Sequence, residues 1–189
     1  MNDKIKTIIY MSVFCIFMII AVIAYTNFSK KSELISENNN KYIEQNNQTD
    51  KKEKIKNFEL QSETGEKINI YSLIGKPLVI NIWTSWCTYC KIEMPYFNEL
   101  YLKEKDNVNF VMINATGDRD TPQDAKKVVN ENNFSFEIYY DLNLEAINKL
   151  GIYSYPTTIF VDKEGYIYDV KIGTITKDEL INKVEKLKY

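Results

Sequence analysis

The sequence predicts an α/β fold, a central mixed β-sheet flanked by helices, preceded by a single N-terminal transmembrane helix. Three observations carry this. An apolar run of nearly bilayer length opens the chain. Two continuous apolar runs of strand length, PLVINIW and VNFVMI, are each followed by a helical pattern. Near the C-terminus a four-residue turn separates two further strand-like runs. Apolar runs without alternation mark strands covered on both faces. Strand–helix–strand followed by a hairpin requires a mixed sheet.

The 189 residues leave room for one domain of common size and an appendage. Residues 1–7 are read as a short cytoplasmic tail. Residues 8–25 form a signal-anchor, because only Ser12 interrupts the apolar run and its length is close to the ~20 residues that span a bilayer. Val22-Ile23-Ala24 also has the form of a cleavage site, and the uncleaved anchor is the preferred reading. A lipid anchor on Cys15 is excluded by Phe14, since a small residue is required there. The flanking Lys4, Lys6, Lys30 and Lys31 bias orientation weakly. With so short a tail left in the cytoplasm, the rest of the chain belongs on the extracytoplasmic side. Residues 26–54 are Asn, Lys, Glu, Gln and Ser with little apolar content, a flexible polar tether.

The folded domain is placed at 55–189. Pro77–Trp83 is a buried strand, and a helix follows through Met94, Phe97, Leu100 and Tyr101. Val108–Ile113 is a second buried strand. Thr121 caps a helix with Pro122 in its first turn and Asp124 three residues on. Phe136–Tyr140 is a third strand, and Asn143–Leu150 a short helix closed by Gly151. Thr157–Val161 and Tyr166–Ile172 flank the turn Asp162-Lys163-Glu164-Gly165 as a hairpin. Thr176 and Glu179 make a capping box for a last helix with Leu180, Val184 and Leu187 on one stripe.

Composition removes several function classes. A net charge of −2 without a basic stripe argues against a nucleic-acid partner. The chain has no histidine, hence no imidazole base and no histidine metal ligand. Of three cysteines, Cys15 lies in the apolar run, which leaves Cys87 and Cys90 as an isolated Cys-x-x-Cys. A zinc site would need about four ligands, and no second pair exists. At the junction of a buried strand and a helix, Cys87 falls at the helix N-terminus, where free N–H groups and the macrodipole favour a thiolate. Cys90, one turn further in, is placed to attack a mixed disulfide formed on Cys87. Thiol–disulfide exchange is the chemistry this pattern supports. Trp83 is assigned to the core by strand alternation and Trp86 to an apolar lip beside the thiols. Asp118, Arg119 and Asp120 are assigned to a solvated turn.

The segment Trp83-Thr84-Ser85-Trp86-Cys87-Thr88-Tyr89-Cys90, Pro95 in the following helix, and Tyr155-Pro156-Thr157-Thr158 before a strand together resemble the thioredoxin superfamily. Within it they resemble the extracytoplasmic branch typified by TlpA and ResA. The resemblance covers Asn57–Leu187. It implies a thioredoxin-like fold and an oxidoreductase with no cofactor beyond the Cys87–Cys90 disulfide. It implies that Pro156 is a cis-proline facing the dithiol, offering the backbone of Tyr155 to an extended substrate strand. It also implies a proton-handling role for Glu93, three residues after Cys90 and beside it on one helix face; the alternative is a solvated helix charge. Implied partners are oxidised protein substrates and a membrane electron donor of CcdA type.

Departures from the pattern are informative. Asn81 stands where thioredoxin has a buried aspartate. The intervening pair is Thr88-Tyr89, neither the Gly-Pro of thioredoxin nor the Pro-His of DsbA. Tyr155 either narrows substrate choice or packs on Trp86. Two other functions compete. A peroxiredoxin-like peroxidase would use Thr84 three residues before Cys87, but has Ile80 where its proline belongs and leaves Cys90 unexplained. A Sco-like copper-binding factor would need a wider cysteine spacing and a histidine, although soft thiolates can hold Cu(I).

Overall fold

The structure, a computed structural model, describes Met18 and residues 53–188. The tail, the helix expected over 8–25 and the tether to residue 52 otherwise lie outside the described residues. Among the described residues no helix is long and apolar enough to cross a membrane.

Seven strands form one sheet in the order β2-β1-β5-β4-β3-β6-β7. They are β1 (Glu59–Ser62), β2 (Lys67–Asn69), β3 (Leu78–Trp83), β4 (Asn109–Asn114), β5 (Ile138–Tyr140), β6 (Thr157–Val161) and β7 (Ile167–Ile172). The helices are α1 (Thr88–Glu104), α2 (Pro122–Glu131), α3 (Glu145–Leu150) and α4 (Lys177–Leu187), with a 3-10 turn at Ile70–Leu73. β3, β4 and β5 run parallel; β6 and β7 are antiparallel additions on one side, β1 and β2 on the other. The sheet is mixed, as the sequence predicts.

Every residue of β3 is buried because the strand is covered on both faces. Val79 and Trp83 pack with Met94 and Phe97 of α1 and with Leu180 and Val184 of α4. Leu78, Ile80 and Ile82 point the other way, into a second layer with Ile55, Phe58, Ile70, Ala146 and Ile147. Fully burying each of these aliphatic side chains contributes about 1.5–3 kcal/mol relative to exposure. The period-2 alternation thus divides one apolar run between two cores.

The helix starts follow local chemistry. The Thr121 hydroxyl accepts from Asp124 N–H at 3.1 Å, and Pro122 sits where no intrahelical donor is needed. The Thr176 hydroxyl accepts from Glu179 N–H at 3.2 Å. Glu179 does not complete the expected capping box with its side chain; its carboxylate lies 3.1 Å from the Lys171 ammonium instead. α3 begins later than expected. Leu144 takes a left-handed backbone, and buried Asp141 substitutes as the cap, accepting from Glu145 N–H and Ile147 N–H at 2.8 and 3.0 Å.

The β1–β2 hairpin and the 3-10 turn were not anticipated. β1 buries only Leu60 fully and β2 buries nothing fully, so neither carries a run or an alternation long enough to read.

Candidate active site

β3 ends at Trp83, and four residues later the chain turns into α1. Cys87 is the N-cap of that helix: its backbone is extended and its Sγ accepts from Cys90 N–H at 3.1 Å. The two sulfurs are joined as a disulfide. Their surroundings differ. Cys87 retains 7% exposure, whereas Cys90 has none. Only the Cys87 sulfur is accessible from outside, and it sits where helix N–H groups stabilise negative charge.

Glu93 is fully buried one turn beyond Cys90, so the solvated-charge alternative does not hold. One carboxylate oxygen accepts from Asn81 Nδ2 at 2.8 Å and the other from Ile175 N–H at 2.8 Å. Burial pushes the Glu93 carboxyl up from 4.5 to about 7, against the opposing pull of the Ile175 N–H, the Asn81 amide and the Lys171 cation. A carboxyl titrating near neutrality gives up and takes back protons most readily at working pH. Asn81 does not replace an aspartate's titration. It spans the gap, donating to both Glu93 and Thr158 Oγ1.

The Tyr155–Pro156 bond is cis, as the resemblance implies. Pro156 is buried, and Tyr155 meets Trp86 edge to face with ring centroids 5.9 Å apart. The proline loop and the dithiol loop therefore touch through these two aromatics. The Tyr155 hydroxyl is pushed up to about 12 by burial and by the Asp118 carboxylate to which it hydrogen-bonds. Trp83 is fully buried, while Trp86 is 45% exposed and forms the lip the sequence suggests.

The segment Asp118-Arg119-Asp120 is solvated only in part, and here the sequence reading is corrected: Arg119 is exposed, Asp118 half-buried and Asp120 buried. Asp120 is buried and accepts four hydrogen bonds: from Ser85 N–H and Ser85 Oγ, both at 2.6 Å, from Asn114 Nδ2 at 2.9 Å, and from Thr121 N–H at 3.0 Å. It fastens the loop after β4 to the loop that carries Cys87. The Asp118 carbonyl accepts from Trp86 Nε1 at 3.4 Å, and the Arg119 guanidinium lies 4.7 Å from the Trp86 ring centroid. Ser85, Asn114 and these three residues were missed because a charged loop reads as solvent-facing when taken alone. A signal existed. β3 and β4 are parallel neighbours, with Trp83 opposite Asn114, so the loops after them emerge side by side.

A family model for the AhpC/TSA family matches residues 52–170, more than half of the chain. The chain belongs to the AhpC/TSA family. Within that family it is similar to the thiol-disulfide oxidoreductase ResA of Bacillus thuringiensis (strain Al Hakam), 33% identical over 132 residues, 69% of this chain and 75% of that one. The fold likeness extends to solved structures. StoA from Bacillus subtilis superimposes with a TM-score of 0.61 at 28% identity, over 69% of this chain and 97% of its own. A Chlorobium tepidum protein assigned as thiol:disulfide interchange protein DsbE gives 0.66 at 22% identity, over 74% and 99%. The fold is thioredoxin-like. With its Cys87–Cys90 disulfide in place, this AhpC/TSA member is a thiol–disulfide oxidoreductase.

Proposed function

We propose that the domain reduces protein disulfides on the extracytoplasmic side of a membrane, anchored by residues 8–25. In this reading the Cys87 thiolate attacks one sulfur of the client disulfide, and the other client sulfur leaves as a thiolate. Cys90 passes its proton to Glu93 and attacks the Cys87 sulfur. The Cys87–Cys90 bond closes, the second client thiol departs, and two electrons have moved from the dithiol to the client. A membrane dithiol protein of CcdA type then returns the pair to its reduced form. Tyr155 and Pro156 hold the client strand, and Trp86 packs against it.

The observation that supports this best is the pairing of Cys87, 7% exposed at a helix N-terminus, with a fully sealed Cys90 above a neutral-range carboxyl. The reducing direction has a chemical reason as well. The strong oxidant DsbA stabilises its reduced form through an acidic thiol. Neither Thr88 nor Tyr89 supplies the cation that the histidine contributes there.

The test is a trap. In a Cys90→Ser chain expressed in its own cells, Cys87 should accumulate as mixed disulfides with oxidised clients, identifiable by mass spectrometry. Wild-type protein should be found mainly reduced by alkylation of acid-quenched cells. A protein that is instead oxidised at steady state and hands its disulfide to newly secreted chains would overturn the direction.

A further inference from the structure

We propose that Arg119 selects client strands that carry a carboxylate beside the target cysteine, a refinement that rests on the exchange chemistry above. Arg119 is the only arginine in the chain. It stands on the loop that Asp120 fastens to Ser85, so its backbone is held relative to Trp86 and Cys87. That backbone is left-handed, with φ of 55°, a conformation most residues avoid. The guanidinium lies over the ring of Trp86, the residue immediately before Cys87, 4.7 Å from its centroid. A guanidinium so placed has five N–H donors and keeps some of them for gripping a carboxylate.

The other charges around the dithiol are committed. Asp120 and Glu93 are buried with their oxygens hydrogen-bonded. Asp118 is bonded to the Tyr155 hydroxyl and lies 3.5 Å from Arg119 Nε. The Arg119 side chain is 77% exposed in that pair, so the contact is weak and exchangeable for an incoming carboxylate. Within the two segments that flank the disulfide, 84–91 and 115–121, the exposed charged residues are Lys91 and Arg119, both cationic. A client carboxylate arriving next to its cysteine would be repelled by the Cys87 thiolate. Arg119 reverses the sign of that encounter, and its place over the Trp86 ring sets where the cation waits.

The experiment uses three peptides of one sequence whose single cysteine is activated as a disulfide with 2-thiopyridine, with Glu, Gln or Lys beside that cysteine. The full chain carrying Cys15→Ser and Cys90→Ser, which leaves Cys87 as its one thiol, is reduced and mixed with each peptide, and release of thiopyridone gives the rate of Cys87 attack. At low salt the Glu peptide should react about 2- to 5-fold faster than the Gln peptide, the size of one exposed charge pair. The Lys peptide should be slowest. Adding Arg119→Gln should bring the Glu/Gln ratio to one or below, and Arg119→Glu should invert it. Arg119→Lys should keep part of the preference, and high salt should shrink it. A Glu/Gln ratio unchanged in Arg119→Gln, or absent in the parent chain, would overturn the inference and leave Arg119 as packing for Trp86. No attack on any peptide would instead overturn the exchange chemistry.

Discussion

Cys87 and Cys90 are the same side chain in two environments, and their reactivity follows the difference. In reduced protein Cys87 should be alkylated by iodoacetamide at a lower pH than Cys90, because only Cys87 is reachable and lies at the helix start. Peptide mapping of briefly labelled protein measures this, and equal labelling would reverse the roles. Glu93 makes a second prediction. Unfolded, it titrates near 4.5; folded, near 7. Between those values the native state holds a proton that the unfolded chain has released, so raising the pH favours unfolding. The loss by pH 7 is about 3 kcal/mol at 1.36 kcal/mol per pKa unit. Urea midpoints at pH 5 and pH 8 should therefore fall further in the wild type than in Glu93→Gln. The same variant should slow the Cys90 step by roughly 10²–10⁴-fold and move its pH dependence; an unaltered profile would leave Glu93 a structural group. The neighbour relation of Cys90 and Glu93 was legible from their three-residue spacing on a helix. The Asn81 bridge was not, because register between β3 and α1 is a property of packing.

At the scale of elements, the working part is two loops at the ends of adjacent parallel strands, locked together by one carboxylate. Removing that lock should loosen both loops. Asp120→Ala leaves the Ser85 and Asn114 donors unpartnered and should cost about 2–4 kcal/mol, since each orphaned buried group costs about 1–3. Trp86 fluorescence should become more quenchable by iodide, with α2 and α4 intact by circular dichroism; an unaltered quenching constant would show that the loop stands without Asp120. Elements with strong periodicity or a cap signature, β3, β4, α2 and α4, could be read directly from the sequence. The hairpin of β1 and β2 could not, because pairing with β5 rather than its own side chains makes it a strand pair. The start of α3 was also hidden, because its cap is Asp141, four residues before Glu145, and not the residue just before the helix, the left-handed Leu144.

For the whole molecule, β3 is the shared wall between two apolar layers, so damage to it should be felt by both. Ile80→Ala, fully buried in the layer away from α1, should lower stability by about 2–5 kcal/mol. Loss of signal from Trp83 on the opposite face should coincide with loss of helix in urea, and two separate transitions would show that the layers fold independently. The α/β class was legible because unbroken apolar runs force strands inside; the converging loops were not, because chain order hides which loops share an end of the sheet. Ile55 N–H donates to Gly165 O and Ile167 N–H to Glu53 O, so the chain enters at the β6–β7 turn. That turn lies beside Leu78, whereas Cys87 lies past Trp83 at the opposite end of the same strand. Six residues of strand separate the two ends by roughly 20 Å. The reactive sulfur and the point where the described chain enters thus stand at opposite poles of the domain, so whatever precedes Glu53 joins it on the side away from the dithiol.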